Sequence, residues 1–460
     1  MTESSQGSLK VENLVQSWLT GLPVGADRPR PPAVTPLQTT FLRSTLGPAA
    51  LIFTTPVLAI LLWMACAHYE GSLRIMAEAG PADWWSHVPR PTGTAAAIVG
   101  GWTVLQLLLL QLLPGAELKG PVTPAGVQPV YKMNGMAAWW ITHVGLMVGG
   151  LTGWLPLGRL YDHYGEVIVT LNLFALAFCG FLYWKGRTYP TSPDIVVTGN
   201  LLFDFFQGPE LHPRLLGVNL KQLINCRVSM MGWSATFVAF AFAQAERHGS
   251  VSTAMLASVA VLVLYLFKFF WWEGGYFHSL DIMHDRFGYY ICWGVLVWVP
   301  SVYCLVALWL VDHPIDWHPV TAIAMVALGA LSIWINYDAD AQRQRVRATD
   351  GKTTVWGKPP VLLQASYTPA DGVKRTNLLL ASGWWGVARH FHYVPELMLA
   401  AAWTIPAGIT HFIPWFYWVF LFILLMDRAR RDELRCAAKY GADWTAYTDR
   451  VPWRVVPGVY

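Results

Sequence analysis

Two stretches of this 460-residue sequence set ionisable side chains among long apolar runs. The first runs from Tyr265 to Tyr290 and carries Lys268, Glu273, Tyr276, Asp281, His284, Asp285 and Arg286. Ionisable groups at membrane depth are costly and face a bundle interior or a watery cavity, so Glu273, Tyr276, Asp281, His284 and Asp285 are candidates for a substrate pocket. They would equally serve as satisfied structural pairs, for example Asp281 and Asp285 on one helical face answering a nearby cation. The second region joins Gly383–Glu396 to Arg428–Tyr460. On a helix Trp385, Arg389, His392 and Tyr393 share one face, as do Asp432, Arg435, Cys436, Lys439 and Tyr440. Cations gathered with aromatic rings suit an anionic ligand. Basic residues beside a membrane also serve topology or bind anionic lipid, and composition alone favours that plainer reading.

Several signals are missing. No GxGxxG turn and no GxxxxGK loop occurs, so a nucleotide would be held by the membrane body itself. His390 and His392 form no repeated histidine box and are expected to hydrogen-bond, with no metal site. The six cysteines are scattered without zinc or thioredoxin spacing and read as buried thiols.

These side chains need a scaffold, and the composition says which kind. The chain is 54% hydrophobic and 13% charged, with 25 Trp, where soluble domains are about 25% charged. This excludes an ordinary soluble enzyme and implies an all-α, polytopic membrane protein. A net charge of +4 gives no support for nucleic acid as a partner. About ten stretches approach the ~20 apolar residues of a span: Ala49–Ala67, Ala95–Leu113, Met136–Leu157, Val167–Trp184, Met230–Ala245, Thr253–Trp272, Phe287–Val311, Val320–Trp334, Leu397–Ile409 and Phe412–Met426. Pro406, Gly408 and Pro414 turn the last two into a tight hairpin. With these spans, all 32 Lys and Arg except Arg74, Arg90, Arg159, Arg247 and Lys268 fall on one side. The positive-inside rule makes that side, and both termini, cytosolic. Residues 1–48 form a cytosolic segment in which Val11, Leu14, Val15, Trp18, Leu19 and Leu22 recur at helical spacing; residues 49–460 form the membrane domain. No cleaved leader is expected. Gly145 and Gly149 make a GxxxG step, the pattern of close helix packing.

The string LLLASGWWGVARHFHYVPE from Leu378 to Glu396, followed by DRARRDELRCAAKYGADWTAYTDRVPWRVVPGVY, resembles the sterol C-14/C-7 reductase family. The resemblance extends through GPVTPAGVQPVYKMNG (Gly120–Gly135), GNLLFDFFQGPELHPR (Gly199–Arg214), FFWWEGGYFHSLDIMHDRFGYYICWG (Phe269–Gly294) and RATDGKTTVWGKPP (Arg347–Pro360). It covers nearly everything after residue 49. The Δ14 branch usually has Asn where His392 stands and Gly-Asp at Pro395 and Glu396, so the wording is closer to the Δ7 branch in its plant-like form.

The resemblance implies NADPH and a sterol with a conjugated 5,7-diene, taken from the bilayer. It also implies the endoplasmic reticulum membrane in a eukaryote or the inner membrane in a bacterium. The cofactor-contacting positions would be Arg343, Arg347, Leu380, Trp385, His392, Tyr393, Asp432, the stretch Cys436, Ala437, Ala438, Lys439 and Tyr440, and Tyr447. An isolated alkene is a poor hydride acceptor, so a proton must come first. Protonation of carbon 8 leaves an allylic cation over carbons 5 to 7, and hydride at carbon 7 saturates the bond. The resemblance points to Tyr265 and Asp432 as the catalytic pair, with Tyr276, Asp281 and Asp285 as relays. Glu433, Arg435, Tyr440, Gly441, Tyr447, Val451 and Pro452 also match the ending of isoprenylcysteine-type methyltransferases, which lack the upstream motifs. A non-catalytic sterol-binding protein and a transporter are further alternatives. NADPH consumption that depends on a 5,7-diene sterol separates these readings.

Overall fold

The computed structural model of the chain describes residues 16–20, 40–123, 125–368 and 373–460. In lipid every backbone amide must find its partner within the segment, which leaves the helix as the solution for an apolar run. Each expected apolar stretch is accordingly helical. Among the described residues, seven helices are long and apolar enough to cross a membrane: Leu42–His68, Gly93–Leu112, Tyr164–Thr188, Gln222–His248, Thr253–Trp271, Tyr289–Asp312 and Pro319–Ala348. The protein is a multi-pass helical membrane protein. Gly135–Leu151 is a shorter apolar helix. Tyr393–Thr404 and Phe416–Tyr440 pack on each other through the turn at Gly408 (φ +77°), and the Trp418 indole donates to the Leu397 carbonyl at 3.0 Å. This is the expected hairpin.

The described chain divides into two compact units. One runs to Val251 and includes Leu266–Pro314; the other comprises Ser252–Tyr265 and Ile315–Tyr460. In the first, Gln222–Met230 and Gly294–Tyr303 are wound as π-helix and pack together, with the Ser229 hydroxyl on the Val295 carbonyl at 2.7 Å. In the second, the 30 residues of Pro319–Ala348 form one helix. At 1.5 Å per residue it is about 45 Å long, so its polar end outruns a hydrocarbon layer of about 30 Å. The expected span Val320–Trp334 is only its apolar half.

Among the described residues, three antiparallel two-stranded hairpins were not anticipated by the helical pattern: Ala116–Lys119 with Val130–Met133, Arg214–Leu215 with Val218–Asn219, and Leu362–Tyr367 with Arg375–Leu380. The last pairs Leu362 with Leu380 and Tyr367 with Arg375. Two further expectations change. Trp385, Arg389, His392 and Tyr393 do not lie on one helix, because Trp384–Val387 is a single turn ended by Ala388 in extended backbone, and helix resumes at Tyr393. Among the described residues the GxxxG step meets no other helix: a Cβ on Gly145 would meet nothing within 4 Å, and one on Gly149 would strike Leu155 in the turn that follows its own helix. Of the N-terminal apolar positions, Val11, Leu14, Val15 and Leu22 lie outside the described residues. Residues 16–20 are helical, and the Trp18 carbonyl accepts from the Leu216 amide at 2.7 Å.

Candidate functional site

In the first unit most of the polar groups bond to one another or to backbone, with Arg227 Nε and Ser279 Oγ buried without a hydrogen-bond partner. Glu273, 1% exposed, accepts Arg227 Nη1 on one oxygen and the Gly135 amide on the other at 3.1 Å. Arg227, 0% exposed, gives Nη2 to Asn134 Oδ1 at 3.1 Å. A Cβ on Gly135 would lie 2.5 Å from Arg227 Nη1 and 2.6 Å from Glu273 Oε2, so the ion pair requires glycine there. Lys221 donates to the Ile282 carbonyl at 2.9 Å and to that of Asp285. Burial pushes this lysine down to about 7, with Asp285 and Asp281 opposing the shift. Lys221 is thus the cation that the two aspartates answer. Tyr276 accepts from Asn225 Nδ2 at 2.6 Å and packs on Phe269. Beside this region Tyr131 stacks on Phe277 at 4.2 Å. The same unit holds an apolar cavity of about 640 Å³, walled by Trp102, Tyr164, Leu171, Trp233 and Val295 among others, and none of the candidate residues lines it.

The second unit brings most of the other candidates together. The exposed end of Pro319–Ala348 places Asn336, Asp340, Arg343 and Arg347 along one face, at offsets of four and three. Arg343 bonds Asp340 at 2.9 Å, and its guanidinium centre lies 4.4 Å from the Trp385 ring centroid. Trp385 is fixed by its indole N–H on the Ala339 carbonyl at 2.7 Å and packs with Val346, Val355 and Leu380. Gly383 makes this possible. With φ +61°, it brings the chain so close that a Cβ would sit 2.1 Å from Gln342 Oε1, the atom that accepts the Trp384 amide.

Because the chain bends after Val387, Trp385 still reaches His392 (ring centroids 5.0 Å), and His392 reaches Tyr393 (4.3 Å). Tyr393 stacks on His390. Two nitrogens here are buried without a hydrogen-bond partner, His392 Nδ1 and His390 Nε2. Burial pushes both imidazoles down to about 3, with Arg343 and Arg428 adding to the shift at His392 and His392 itself and Arg389 at His390. Both are neutral at physiological pH. Arg389 turns away to Glu433 (2.6 Å), which also holds Arg454 (2.6 Å), while its Nη1 binds the Val451 and Pro452 carbonyls. This clamp docks the C-terminal tail.

Phe416–Tyr440 carries Asp432, Cys436, Ala437, Ala438, Lys439 and Tyr440 on one continuous helix. Burial, and then Asp432, pushes the Cys436 thiol up to about 12, so it stays protonated and lies 4.0 Å from Asp432 Oδ2. Lys439 Nζ sits 3.9 Å from the Tyr367 ring centroid, and Tyr440 accepts from Asn377 at 3.0 Å. Tyr447 donates to the Leu380 carbonyl at 3.1 Å. Arg347 stands within electrostatic reach of Arg343, Tyr440 and Cys436. Cations, aromatic faces and unpartnered buried nitrogens in one place suit a dinucleotide phosphate. Among the described residues no cluster suits a metal ion.

Tyr265 belongs to this unit, and its phenol donates to Glu396 Oε1 at 3.0 Å. Asn336 Nδ2 donates to Glu396 Oε2 and to the His392 carbonyl, both at 3.2 Å. Sequence reasoning singled out Glu396 only as a mark of the Δ7 branch and passed over Asn336. A lone Asn closing an apolar helical run was the available signal.

A family model described as "Ergosterol biosynthesis ERG4/ERG24 family" matches residues 36–460. A 7-dehydrocholesterol reductase of Arabidopsis thaliana is 44% identical over 419 residues, covering 89% of this chain and 96% of that protein. A Delta(14)-sterol reductase of Methylotuvimicrobium alcaliphilum is 37% identical, covering 89% and 94%. A 7-dehydrocholesterol reductase of Xenopus laevis is 33% identical, covering 89% and 91%. With the model matched across nearly the whole chain and relatives aligned over most of their own length, the chain belongs to the ergosterol biosynthesis ERG4/ERG24 family.

Proposed function

We propose that this protein reduces the carbon 7 to carbon 8 double bond of 5,7-diene sterols with NADPH, as a multi-pass enzyme of sterol biosynthesis. The observation that carries the cofactor assignment is the pair of partnerless buried nitrogens, His392 Nδ1 and His390 Nε2, beside an arginine laid on Trp385. Buried polar atoms normally have partners, and here a ligand supplies them. Arg343 and Arg347 take the 2′-phosphate, where guanidinium geometry favours two-pronged contacts. Leu380, Trp385, His392, Tyr393, Asp432, the Cys436–Tyr440 segment and Tyr447 hold the rest. Bound there, NADPH supplies the hydride that saturates carbon 7.

The chain's own residues supply the proton. Tyr265 is the donor to carbon 8: a phenol places a proton in an apolar pocket without burying a permanent charge. Asp432 is the second acidic group of the site, on the cytosolic rim where the helix leaves the membrane. The sterol enters from the bilayer, both termini face the cytosol, and residues 49–460 act as one membrane-embedded reductase domain. In a eukaryote the membrane is the endoplasmic reticulum. Glu273, Tyr276, Asp281, His284 and Asp285 are substrate-pocket candidates from the sequence, and the buried Arg227–Glu273 pair favours a structural role for this segment. The 44% identity to a 7-dehydrocholesterol reductase and the presence of His392, Pro395 and Glu396 support Δ7 over Δ14 reduction.

The test is NADPH oxidation by the purified protein. Oxidation that requires a 5,7-diene sterol supports the reading. Oxidation only with an 8,14-diene moves the chain to the Δ14 branch, and none with either sterol overturns it.

A further inference from the structure

We infer that Glu396 is the proton reservoir of the site: it recharges Tyr265, and Asn336 holds it in place to do so. The inference rests on the proposed sterol reduction and adds a residue to it. Three observations carry it. The Tyr265 phenol reaches Glu396 Oε1 at 3.0 Å, a direct proton-transfer distance. The other carboxyl oxygen is held by Asn336 Nδ2 at 3.2 Å. The same amide binds the His392 carbonyl at 3.2 Å, which ties the carboxyl to the segment bearing the unpartnered imidazole. Asp432, by contrast, lies on another helix with Cys436 as its neighbour at 4.0 Å.

The chemistry follows from which way the hydrogen points. Against an ionised Glu396 the phenol directs its hydrogen at the carboxylate and has none to offer a sterol. With Glu396 protonated, the carboxyl donates to the phenol oxygen and the phenol hydrogen is free to face carbon 8. In the step itself a C–H bond forms at carbon 8 as the Tyr265 O–H breaks. The Glu396 O–H then breaks as that of Tyr265 re-forms. The carboxylate left behind keeps its hydrogen bond from Asn336, and one proton from water restores it each turnover. Hydride from the cofactor balances the reduction.

Glu396→Gln keeps the side chain's size, an oxygen that accepts from Asn336 and an amide N–H that can donate to the phenol oxygen, but it has no acidic proton to give. The wild type is assayed first, with a 5,7-diene sterol and NADPH, because inactivity there rejects the parent reading and not this one. The expected result for the variant is a fall in kcat of about 10²-fold with KM for NADPH and sterol near normal. The solvent deuterium isotope effect on kcat should rise and the effect of deuterated NADPH should shrink, which a packing defect would not produce. In a Tyr265→Phe background the same change should cost nothing more, since the two act in series. Near-normal turnover, or losses that multiply in the double variant, overturns the inference. Where Glu396→Gln does not fold, Glu396→Asp decides. Turnover within about tenfold of wild type supports the reservoir, and a loss as complete as that of Tyr265→Phe contradicts it.

Discussion

The two polar regions look alike in the sequence and differ in what the fold does with them. Around Glu273 and Asp285, ionisable groups meet one another or backbone carbonyls: Arg227 with Glu273, Lys185 with Glu210, Lys221 with the Ile282 and Asp285 carbonyls. Around Trp385 and His392, Arg343 lies on the Trp385 ring and two buried imidazole nitrogens have no hydrogen-bond partner. Burying charge is costly in both places. The first network meets most of that cost within the chain, with Arg227 Nε and Ser279 Oγ left over, whereas the second leaves two imidazole nitrogens that we propose a ligand completes.

The comparison can be broken first where it is sharpest. Removing one partner of a fully buried ion pair strands the other charge, at about 3 to 5 kcal/mol. Arg227→Ala and Glu273→Ala should therefore collapse the thermal stability of the detergent-solubilised protein, read by fluorescence-monitored melting. Whatever fraction folds should retain its kcat, since this network is structural. A normal melting temperature with lost turnover would put Glu273 among the catalytic groups instead.

The open region should respond the other way. Tyr265→Phe and Asp432→Asn preserve shape and remove a proton, so each should slow turnover by about 10²-fold or more at nearly unchanged melting temperature. Binding of NADPH, titrated separately, distinguishes a lost proton from a lost cofactor contact at Asp432. Full activity in both variants would shift the acid role to Tyr276, Asp281 or Asp285.

Arg343→Ala and Arg347→Ala together should raise KM for NADPH by roughly 10- to 100-fold, the scale of charge-assisted hydrogen bonds at about 1.5 to 3 kcal/mol. KM for NADH should change far less, because it lacks the 2′-phosphate. Equal effects on the two cofactors would return these residues to topology or lipid binding.

A further effect concerns acid. His390 and His392 titrate at about 3 in the fold and at 6.5 when free of it. Between those values the unfolded chain binds more protons, so stability falls as pH drops from 6.5 toward 3, by at most about 1.4 kcal/mol per pH unit for each ring. Above 6.5 the two rings contribute no slope. The melting temperature of a His390→Gln, His392→Gln variant should lose less on acidification from pH 7 to pH 5 than that of the wild type. Parallel curves would mean that these rings protonate freely in the fold.

The helices were readable because a span is a local requirement, set by its own apolar run. The turn between the last two helices was equally local, through Pro406, Gly408 and Pro414. What could not be read depends on partners distant in the chain. The Arg389, Glu433 and Arg454 clamp, the Leu362–Tyr367 hairpin and the Tyr265, Glu396 and Asn336 link carry no local spacing that announces them. The cofactor positions emerged from long motifs resembling a family. The helical-face argument for Trp385, His392 and Tyr393 reached the right neighbours through the wrong element, since the chain brings them together by bending at Ala388.

The most direct test of the account is to follow both hydrogens. A 5,7-diene sterol and an 8,14-diene sterol are incubated in parallel with 4-deuterated NADPH in ordinary water, and then with ordinary NADPH in deuterated water, and the products are placed by mass spectrometry and NMR. The account predicts one deuterium at carbon 7 from the cofactor, one at carbon 8 from the solvent, and little conversion of the 8,14-diene. Label at carbons 14 and 15, or no transfer from the cofactor to either sterol, would contradict it.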